Sequence, residues 1–481
     1  MEKSNGQEYN CCIIGAGPAG LGTAWELVKN GETNLIIIDR NEVVGGLART
    51  EIRDGARFDV GPHRFFTKNE EVNALWKEVL GSDFIPVDRL TRIYYKGKFF
   101  NYPIKAQDVL LKLGPLESFQ AMVSYGLARI KPKKKANTFE EWISQMFGTK
   151  LYKTFFKTYT EKVWGIPCSE IGAEWAAQRI KGLNFVQVVK NALAGSGKGK
   201  PKTLVDQFDY PVEGAGQMYE KMAERVVEKG GKILMNTTVK KFVMENGALT
   251  GVVVTDQSGQ EATIKARHFF NSAPITHFFH LLNPAPPAEL NDAANALYYR
   301  EHITVNFLIT GENLFPDQWI YVHAPEVKAA RIANYNNFSD RMTSKRSETA
   351  VSVEYFVFKS DDLWKMSDEA LVKLAGREME MIGLCKEKDI INGWVVRETE
   401  SYPTYYLGYE EPYNALRDYL DAIHNLSPIG RGGLYKYNNQ DHSTYSGLLA
   451  ARNYLKLPGS PYNLWNINID AEYHESAERS V

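Results

Sequence analysis

Residues 9–39 read YNCCIIGAGPAGLGTAWELVKNGETNLIIID, and the order of features in this stretch decides the fold. The apolar residues 9–14 predict a short strand. A helical pattern follows the glycines and stops at Asn30-Gly31, a typical helix end. A second apolar run, residues 35–38, leads to Asp39. This order predicts a βαβ unit that binds a dinucleotide: a strand, a glycine turn, a helix, a second strand and an acidic residue.

The small residues of the turn have separate predicted roles. Gly15 permits the tight turn, Gly17 lets a pyrophosphate approach the backbone, and Gly20 lets the helix pack closely on the strand. The helix N-terminus offers free N–H groups and the positive end of its dipole to the pyrophosphate. Asp39 is predicted to accept a hydrogen bond from a ribose 2′-hydroxyl.

Two further segments indicate that the dinucleotide is FAD. Residues 45–50 read GGLART and residues 58–63 read FDVGPH. They resemble the second and third FAD contacts of the amine-oxidase-like flavoprotein superfamily. The predicted FAD contacts are Gly15, Gly17, Pro18, Ala19, Gly20, Asp39, Arg40, Gly45, Gly46, Leu47, Gly61, Pro62, His63, Val239, Arg431, Asn439, Gln440 and Ser443.

Composition limits the other classes of function. The net charge of −1 gives no field that would attract a nucleic acid, so none is expected as a partner. The sequence contains no run of eighteen apolar residues, so no transmembrane segment is predicted. Its polar start does not resemble a signal peptide. The four cysteines lack metal-ligand spacing, so no metal site is expected and the compartment is predicted to be the cytoplasm. The oligomeric state stays open.

The hydrophobic patterns predict an α/β fold with three parts. A Rossmann-like FAD-binding domain is discontinuous, over residues 1–90, 205–272 and 425–481. A helical insertion covers 105–204, with a Lys- and Gly-rich mobile loop near 194–203. Residues 91–104 and 273–424 alternate at period two and predict an antiparallel β-sheet substrate domain. The run KPKKK at 131–135 is interpreted as a solvated loop between helices.

Further motifs, spread over nearly the whole chain, resemble the eukaryotic-type UDP-galactopyranose mutases of the same superfamily. They comprise YTEKVWGIP at 159–167, Trp175 with Arg179, Trp319-Ile320-Tyr321 with Arg331, Tyr402-Pro403-Thr404, Gly430-Arg431, Tyr437 and NQDHS at 439–443.

This resemblance implies a nucleoside-diphosphate sugar as substrate. Arg179 and Arg331 are the implied pair that grips the diphosphate, and arginine suits it because its charge is permanent and its donors are fixed. His63 is implied to lie beside the flavin and to act in catalysis. The other implied substrate contacts are Lys105, Thr160, Trp164, Trp319, Tyr321, Tyr402 and Tyr437.

In that family reduced FAD acts as a nucleophile through its N5 atom, and pyranose and furanose forms of the sugar interconvert without net redox. The resemblance therefore implies an isomerase that needs NAD(P)H or another reductant for its flavin. Thr160 and Lys105 replace an Asn and a Gln of the family pattern near the uracil. UDP-galactose or a related nucleotide sugar is expected as substrate.

Two other functions remain open. The first is an FAD-dependent oxidoreductase of the protoporphyrinogen oxidase, amine oxidase or desaturase type, which would consume an electron acceptor. The second is a binding module without a working cofactor, like the Rab GDP-dissociation inhibitors. The intact glycine turn, Asp39 and Arg431 argue against the second.

Overall fold

The computed structural model describes residues 8–104, 106–173 and 207–467. Four predicted features lie outside these ranges: Lys105, Trp175, Arg179 and the loop at 194–203. No helix within the described ranges is long and apolar enough to cross a membrane.

The strands, numbered along the chain, are β1 Glu8–Ile14, β2 Leu35–Ile38, β3 Thr50–Arg53, β4 Ala56–Asp59, β5 Phe84–Asp88, β6 Thr91–Tyr95, β7 Lys98–Asn101, β8 Gln207–Pro211, β9 Lys232–Leu234, β10 Thr238–Glu245, β11 Ala248–Thr255, β12 Glu261–Asn271, β13 Leu282–Asn283, β14 Tyr299–Thr310, β15 Trp319–Val322, β16 Arg331–Asn334, β17 Glu348–Val357, β18 Ile390–Pro403 and β19 Leu426–Pro428.

The α-helices are α1 Pro18–Lys29, α2 Glu70–Leu80, α3 Ala106–Leu113, α4 Pro115–Ile130, α5 Phe139–Phe147, α6 Thr149–Tyr152, α7 Thr158–Trp164, α8 Gly216–Glu228, α9 Ile275–His280, α10 Ala288–Ala296, α11 Asp362–Lys365, α12 Asp368–Ile382, α13 Glu410–Asp421, α14 Gly430–Gly433 and α15 Gln440–Leu455. Short 3₁₀ turns cover Gly46–Ala48, Tyr335–Asn337, Glu387–Asp389 and Leu464–Asn466, and a π-helical stretch covers Lys153–Lys157.

The first large sheet has the strand order β13-β10-β11-β12-β1-β2-β9, and β19 pairs with β12. Strands β12, β1, β2 and β9 run parallel, as does β19 beside β12. The last four residues of β1 and all four of β2 are buried, which explains their continuous apolar sequences. Ile14 is in register with both Ile38 and Asn271, so the carboxyl ends of β1, β2 and β12 meet at one edge of the sheet. Ligands of open α/β sheets bind at this edge.

The second large sheet has the order β18-β14-β17-β16-β15-β6-β7. Its pairings are antiparallel except that β15 runs parallel to β6. The predicted antiparallel sheet is therefore present, with one parallel pair that the sequence did not indicate. The reason is that the 91–104 hairpin and β15 are far apart in the chain, and period-two patterns do not fix relative strand direction.

Helices α3 to α7 pack on this second sheet. Apolar side chains of α5, the π-helical stretch and α7 share one core cluster with Ile93 and Phe100 of the hairpin and Phe356 of β17. The predicted fold class is confirmed, with a Rossmann-like part, a helical part and a sheet part. The domain boundaries stay a prediction.

Candidate functional site

The glycine turn lies where the first sheet ends, and its geometry leaves room only for glycine. Gly15 has φ +102°, and its N–H donates to the Ile38 carbonyl at 2.8 Å. A Cβ at Gly15 would lie 2.0 Å from the hydroxyl oxygen of Ser272, which follows β12. A Cβ at Gly20 would lie 1.8 Å from the carbonyl oxygen of Gly15. Helix α1 therefore starts in direct backbone contact with the turn, as the motif predicts.

Helix α1 begins at this turn, and α15 packs against α1. α1 has Gly17 as its N-cap and Pro18 in its first turn, and α15 has Asn439 as its N-cap. Neither N-cap side chain accepts a hydrogen bond from its helix, so the first N–H groups remain available to a ligand. The two helices touch, since a Cβ at Gly447 would lie 2.2 Å from the Ala19 carbonyl oxygen.

The second glycine pair closes over the same turn. The N–H of Gly45 donates to the Ala16 carbonyl at 2.8 Å, and a Cβ at Gly46 would lie 3.1 Å from the Cα of Gly17. Backbone without side chains thus lies on both sides of the start of α1. A pyrophosphate requires this arrangement of close, unobstructed N–H donors.

The Asp39 side chain is hydrogen-bonded to the backbone of the turn. Its carboxylate accepts hydrogen bonds from the N–H of Ala16 at 2.7 Å and of Asn41 at 2.8 Å. Burial raises the pKa of Asp39, and these two hydrogen bonds oppose the rise. The sequence predicts a contact with ribose, whereas the described contacts are with the turn itself. The ribose contact stays a prediction.

Other predicted cofactor residues connect separate parts of the chain. The Arg40 guanidinium donates to the Thr399 hydroxyl of β18 at 3.1 Å, so it bridges the two large sheets. Val239 is half-buried in β10. Gln440 bonds to the Arg64 carbonyl and to the Tyr219 hydroxyl. The buried Ser443 hydroxyl donates to the side chain of Asn438. These hydrogen bonds fix the start of α15.

His63 lies in the loop after β4 and is neutral. Its Nε2 is 2.8 Å from the Leu47 carbonyl oxygen and 3.2 Å from that of Val60, so Nε2 carries the proton. Burial, together with the positive charges of Arg331 and Arg431, lowers the pKa of His63 to about 4, although its hydrogen bonds to the Leu47 and Val60 carbonyls oppose the change. The same two arginines therefore act on one side chain. Pro62 precedes it and Gly61 has φ +90°.

Arg331 lies beneath this loop in a buried ion pair. A Cβ at Gly61 would lie 3.4 Å from its Nη2. Nε and Nη2 of Arg331 donate to the two carboxylate oxygens of Glu354, at 2.9 and 2.5 Å. His302 Nε2 lies 3.0 Å from the same carboxylate. Burial by itself would raise the pKa of Glu354, but the Arg331 charge and the hydrogen bonds to His302 and Arg331 lower it to about 2, so the carboxylate is ionised. Within the described residues, the Nη1 end of the guanidinium makes no hydrogen bond to the protein.

A compact aromatic group lies between Arg331 and the start of α14. Tyr402 and Tyr437 are stacked with centroids 5.2 Å apart, and Trp164 lies edge-on to Tyr437 at 5.5 Å. The Arg431 guanidinium lies 5.0 Å from the Tyr402 ring and 5.1 Å from the Tyr437 ring. Burial raises the pKa of Tyr402 to about 12, so its hydroxyl stays protonated and can donate to an anion.

A second aromatic group continues along the sheet. Tyr321 lies edge-on to Tyr159 and Tyr102, each with centroids 5.2 Å apart. Trp319 is 6.3 Å from Tyr321, but it is buried among Phe208 and Phe338. Its position fits core packing as well as substrate contact. Thr160 is buried on α7.

The structure thus brings most predicted residues to one region, and it adds others that the motifs did not indicate. The additions are Glu354, His302, Tyr102 and Ser272. Tyr159 belongs to the motif at 159–167, and the structure places it edge-on to Tyr321. Glu354 left a signal in the sequence, because it is a charged residue inside the apolar run of β17. Such a residue needs a buried partner. Arg179 and Lys105 lie outside the described residues.

Within the described ranges, no group of three His, Cys, Asp or Glu side chains could hold a metal ion. The donor set of the glycine turn fits FAD instead. Helix α1 begins at this turn without a capping side chain, and a Cβ at Gly46 would lie only 3.1 Å from the Cα of Gly17, so backbone donors are accessible without side chains between them.

Comparison with known proteins agrees with this geometry. The pattern of the flavin-containing amine oxidoreductase family matches residues 18–450. Among curated proteins, a "Probable UDP-galactopyranose mutase" of Klebsiella pneumoniae is 32% identical over 173 residues, which cover 34% of this chain and 43% of that protein. A dTDP-fucopyranose mutase of Escherichia coli is 31% identical over 169 residues, again 34% of this chain and 43% of the relative. The chain therefore spans less than half the length of these relatives.

Among solved structures, reduced UDP-galactopyranose mutase superposes with a TM-score of 0.82 over 96% of both chains, at 19% identity. At that identity the likeness concerns the fold. The family match covers most of the chain and includes the glycine turn from Pro18 onward, together with Arg331, Arg431 and the start of α15. The chain belongs to the flavin-containing amine oxidoreductase family, and FAD is its cofactor.

Proposed function

We propose that the protein is an FAD-dependent nucleotide-sugar mutase that interconverts the pyranose and furanose forms of a nucleoside-diphosphate sugar. The observation that carries this proposal is the convergence of Arg331 and Arg431 on the neutral His63. A Cβ at Gly61, two residues before His63, would lie 3.4 Å from Nη2 of Arg331, and the Arg431 guanidinium lies 5.0 Å from the Tyr402 ring. Both positive charges also lower the pKa of His63. Two permanent positive charges beside a neutral loop suit an anionic substrate.

The residues around Arg331 support binding of a diphosphate that leaves and returns. Glu354 fixes the guanidinium through Nε and Nη2, which leaves Nη1 for a phosphate oxygen. The protonated hydroxyls of Tyr159 and Tyr402 can donate to further oxygens, because burial keeps both phenols neutral. The proposed contacts of Arg179, Lys105, Tyr321 and Tyr437 complete this set.

When bound in its reduced form, FAD would supply the nucleophile for the anomeric carbon. The chain's own contribution is to orient the sugar and to keep the diphosphate close. Trp164 and Tyr437 form an edge-to-face wall beside Arg431, and aromatic walls suit the apolar faces of a sugar. His63 is held by Leu47 and Val60, so its free Nδ1 is an acceptor.

UDP-galactose or a related nucleotide sugar is the proposed substrate. The two curated relatives act, by their names, on sugars carried by different nucleotides, UDP and dTDP. Thr160 is buried beside Tyr159, so a base would contact the ring of Tyr159 more readily than the threonine hydroxyl. A reductant such as NAD(P)H is the proposed partner of the flavin.

A second candidate is an FAD-dependent oxidoreductase of the amine oxidase type. The family match favours it, because the family is described by oxidoreductase chemistry. The two candidates differ in substrate charge, since oxidation of an amine gains nothing from two arginines next to the flavin loop.

The decisive experiment is incubation of dithionite-reduced protein with a panel of nucleotide sugars, followed by separation of the products by HPLC. Borohydride trapping then tests for a covalent flavin–sugar species. We expect conversion of at least one sugar only in the reduced state, without consumption of an electron acceptor. No conversion and no adduct across the panel would exclude the mutase, and turnover that consumes oxygen would support the oxidoreductase.

A matched pair of variants tests the role of Arg331. Arg92 forms a similar bidentate pair with the buried Asp317. Arg331→Lys should raise the dissociation constant of UDP by roughly tenfold or more, because lysine lacks the planar pair of donors of the guanidinium. Arg92→Lys should leave nucleotide binding at the wild-type value.

A further inference from the structure

Helix α4 is oriented with its large apolar side chains toward solvent. Its buried residues are small, Ser118 and Ala121. The exposed ones are Leu116 (69% exposed), Phe119 (62%), Met122 (54%), Val123 (45%), Leu127 (54%) and Ile130 (83%). Leu116, Phe119, Val123, Leu127 and Ile130 recur at spacings of three and four, so they form one stripe along the helix, which we call the α4 stripe.

The stripe ends at a cluster of positive charge. Residues 118–139 contain Arg129 and the four lysines of the 131–135 run, and they contain no acidic residue. The lysines are exposed. Three acids flank this segment. Glu117 forms ion pairs with Lys96 and Lys150, and Glu141 accepts backbone hydrogen bonds in the capping box of α5. Glu140 forms no ion pair with these lysines in the described part of the chain. The positive charge at this end of the stripe is therefore not neutralised by these acids.

A groove of about 520 Å³ joins the stripe to the lysines. It lies between α4 and α5 and is lined by Phe119, Val123 and Leu127 on one side. Lys131, Lys133 and Glu141 also line it. An apolar chain with an anionic head would satisfy both parts of this surface.

We propose that the α4 stripe and the adjoining lysines bind the surface of a membrane that contains anionic lipid. The helix would lie parallel to the surface, with Leu116 to Ile130 in the acyl region and the lysines at the head groups. A protein partner fits less well, because lysine is depleted at protein interfaces, whereas it flanks interfacial helices. This proposal is independent of the catalytic one, since the stripe contains none of the predicted site residues.

The experiment is co-sedimentation of the full-length, FAD-loaded protein with vesicles of phosphatidylcholine alone or of equal parts phosphatidylcholine and phosphatidylglycerol. We expect binding to the mixed vesicles, weakened by salt, and little binding to the neutral ones. Leu127→Ser should reduce the partition coefficient by about tenfold or more. Lys133→Ala with Lys134→Ala should reduce it by about fivefold for each lysine removed.

Matched controls use residues of the same exposure elsewhere. Met381 is 54% exposed, as Leu127 is, and Lys386 and Lys388 are exposed lysines of another surface. Met381→Ser and the pair Lys386→Ala with Lys388→Ala should bind vesicles as the wild type does. Flavin absorbance and thermal unfolding check that each variant is folded.

Three results would overturn the proposal. The first is equal partitioning into neutral and mixed vesicles, and the second is equal effects of the stripe and control variants. The third is found by light scattering: if Leu127→Ser converts a dimer into a monomer while vesicle binding is absent throughout, the stripe is an interface between two copies of the chain.

Discussion

Replacement of Glu354 by Gln tests the ion pair on which the proposed anion site depends. The substitution keeps the size of the side chain but removes the charge that Arg331 faces. Glu354 is completely buried, and both of its oxygens accept hydrogen bonds from Arg331. A glutamine can accept at only one of these positions, and its NH₂ group would face another donor.

The expected cost follows from the pKa of Glu354. The pKa is lowered from 4.5 to about 2. At about 1.4 kcal/mol per pKa unit, the ionised form is stabilised in the folded state by about 3 kcal/mol. Loss of one partner of a buried pair costs about 3–5 kcal/mol in other proteins, which agrees. Because the folded pKa is depressed, this contribution is complete above pH 4.5 and is lost as the pH falls from there toward 2.

The assay is urea unfolding of the FAD-loaded protein at neutral pH, followed by tyrosine and flavin fluorescence. Glu354→Gln and Arg331→Met should each lower the free energy of unfolding by about 3 kcal/mol. The double variant should lower the free energy of unfolding by no more than one single variant does, because it leaves no buried charge without a partner. Glu78→Gln is the control. Glu78 pairs with Lys29 at 3.1 Å on the surface, and its loss should cost less than about 1 kcal/mol.

Additive effects of the two single variants would refute the reasoning. So would a cost of Glu354→Gln as small as that of Glu78→Gln. Either result would mean that water or another group compensates the Arg331 charge, and the proposed orientation of its Nη1 toward a phosphate would lose its support.

Three further predictions concern the FAD-binding edge. Gly20→Ala should give a protein that loses its flavin absorbance on desalting, because the new Cβ would lie 1.8 Å from the Gly15 carbonyl oxygen. The control Gly172→Ala, whose Cβ would meet no atom within 4 Å, should retain flavin. Equal flavin content in the two variants would contradict the prediction. His63 has its pKa lowered from 6.5 to about 4, so the unfolded chain binds more protons between these values and stability should fall as the pH drops from 6.5 toward 4. In denaturant titrations near pH 5, His63→Gln should reduce this slope by about 1.4 kcal/mol per pH unit, and an unchanged slope would refute the shift. Arg431→Lys should lower the free energy of unfolding by about 2 kcal/mol, since Arg431 donates to the carbonyls of Ser401 and Asn438 and lies over two tyrosine rings; a change below about 0.5 kcal/mol in urea unfolding would contradict it.

Much of the FAD-binding edge was predictable because its signals are local. Gly15 needs a positive φ and Gly20 a missing Cβ, and each requirement is met within a few residues of chain. The fold class was predictable for the same reason, since hydrophobic periodicity reports burial segment by segment. The direction of β15 relative to β6 was not, because more than two hundred residues separate the paired strands and no local pattern records their orientation.

By itself, the sequence predicted a dinucleotide site at the end of the first strand, because glycine spacing, helix start and acid act over short distances. It also named Arg331, Arg431 and the tyrosines through a resemblance of motifs. Only the tertiary structure decided that Glu354 engages the fork of Arg331, that two arginines act on His63, and that α4 presents its apolar stripe to solvent. Each of these depends on which surfaces meet across distant segments. A helical pattern identifies the apolar face of α4, but it does not tell whether that face turns toward the core or toward solvent.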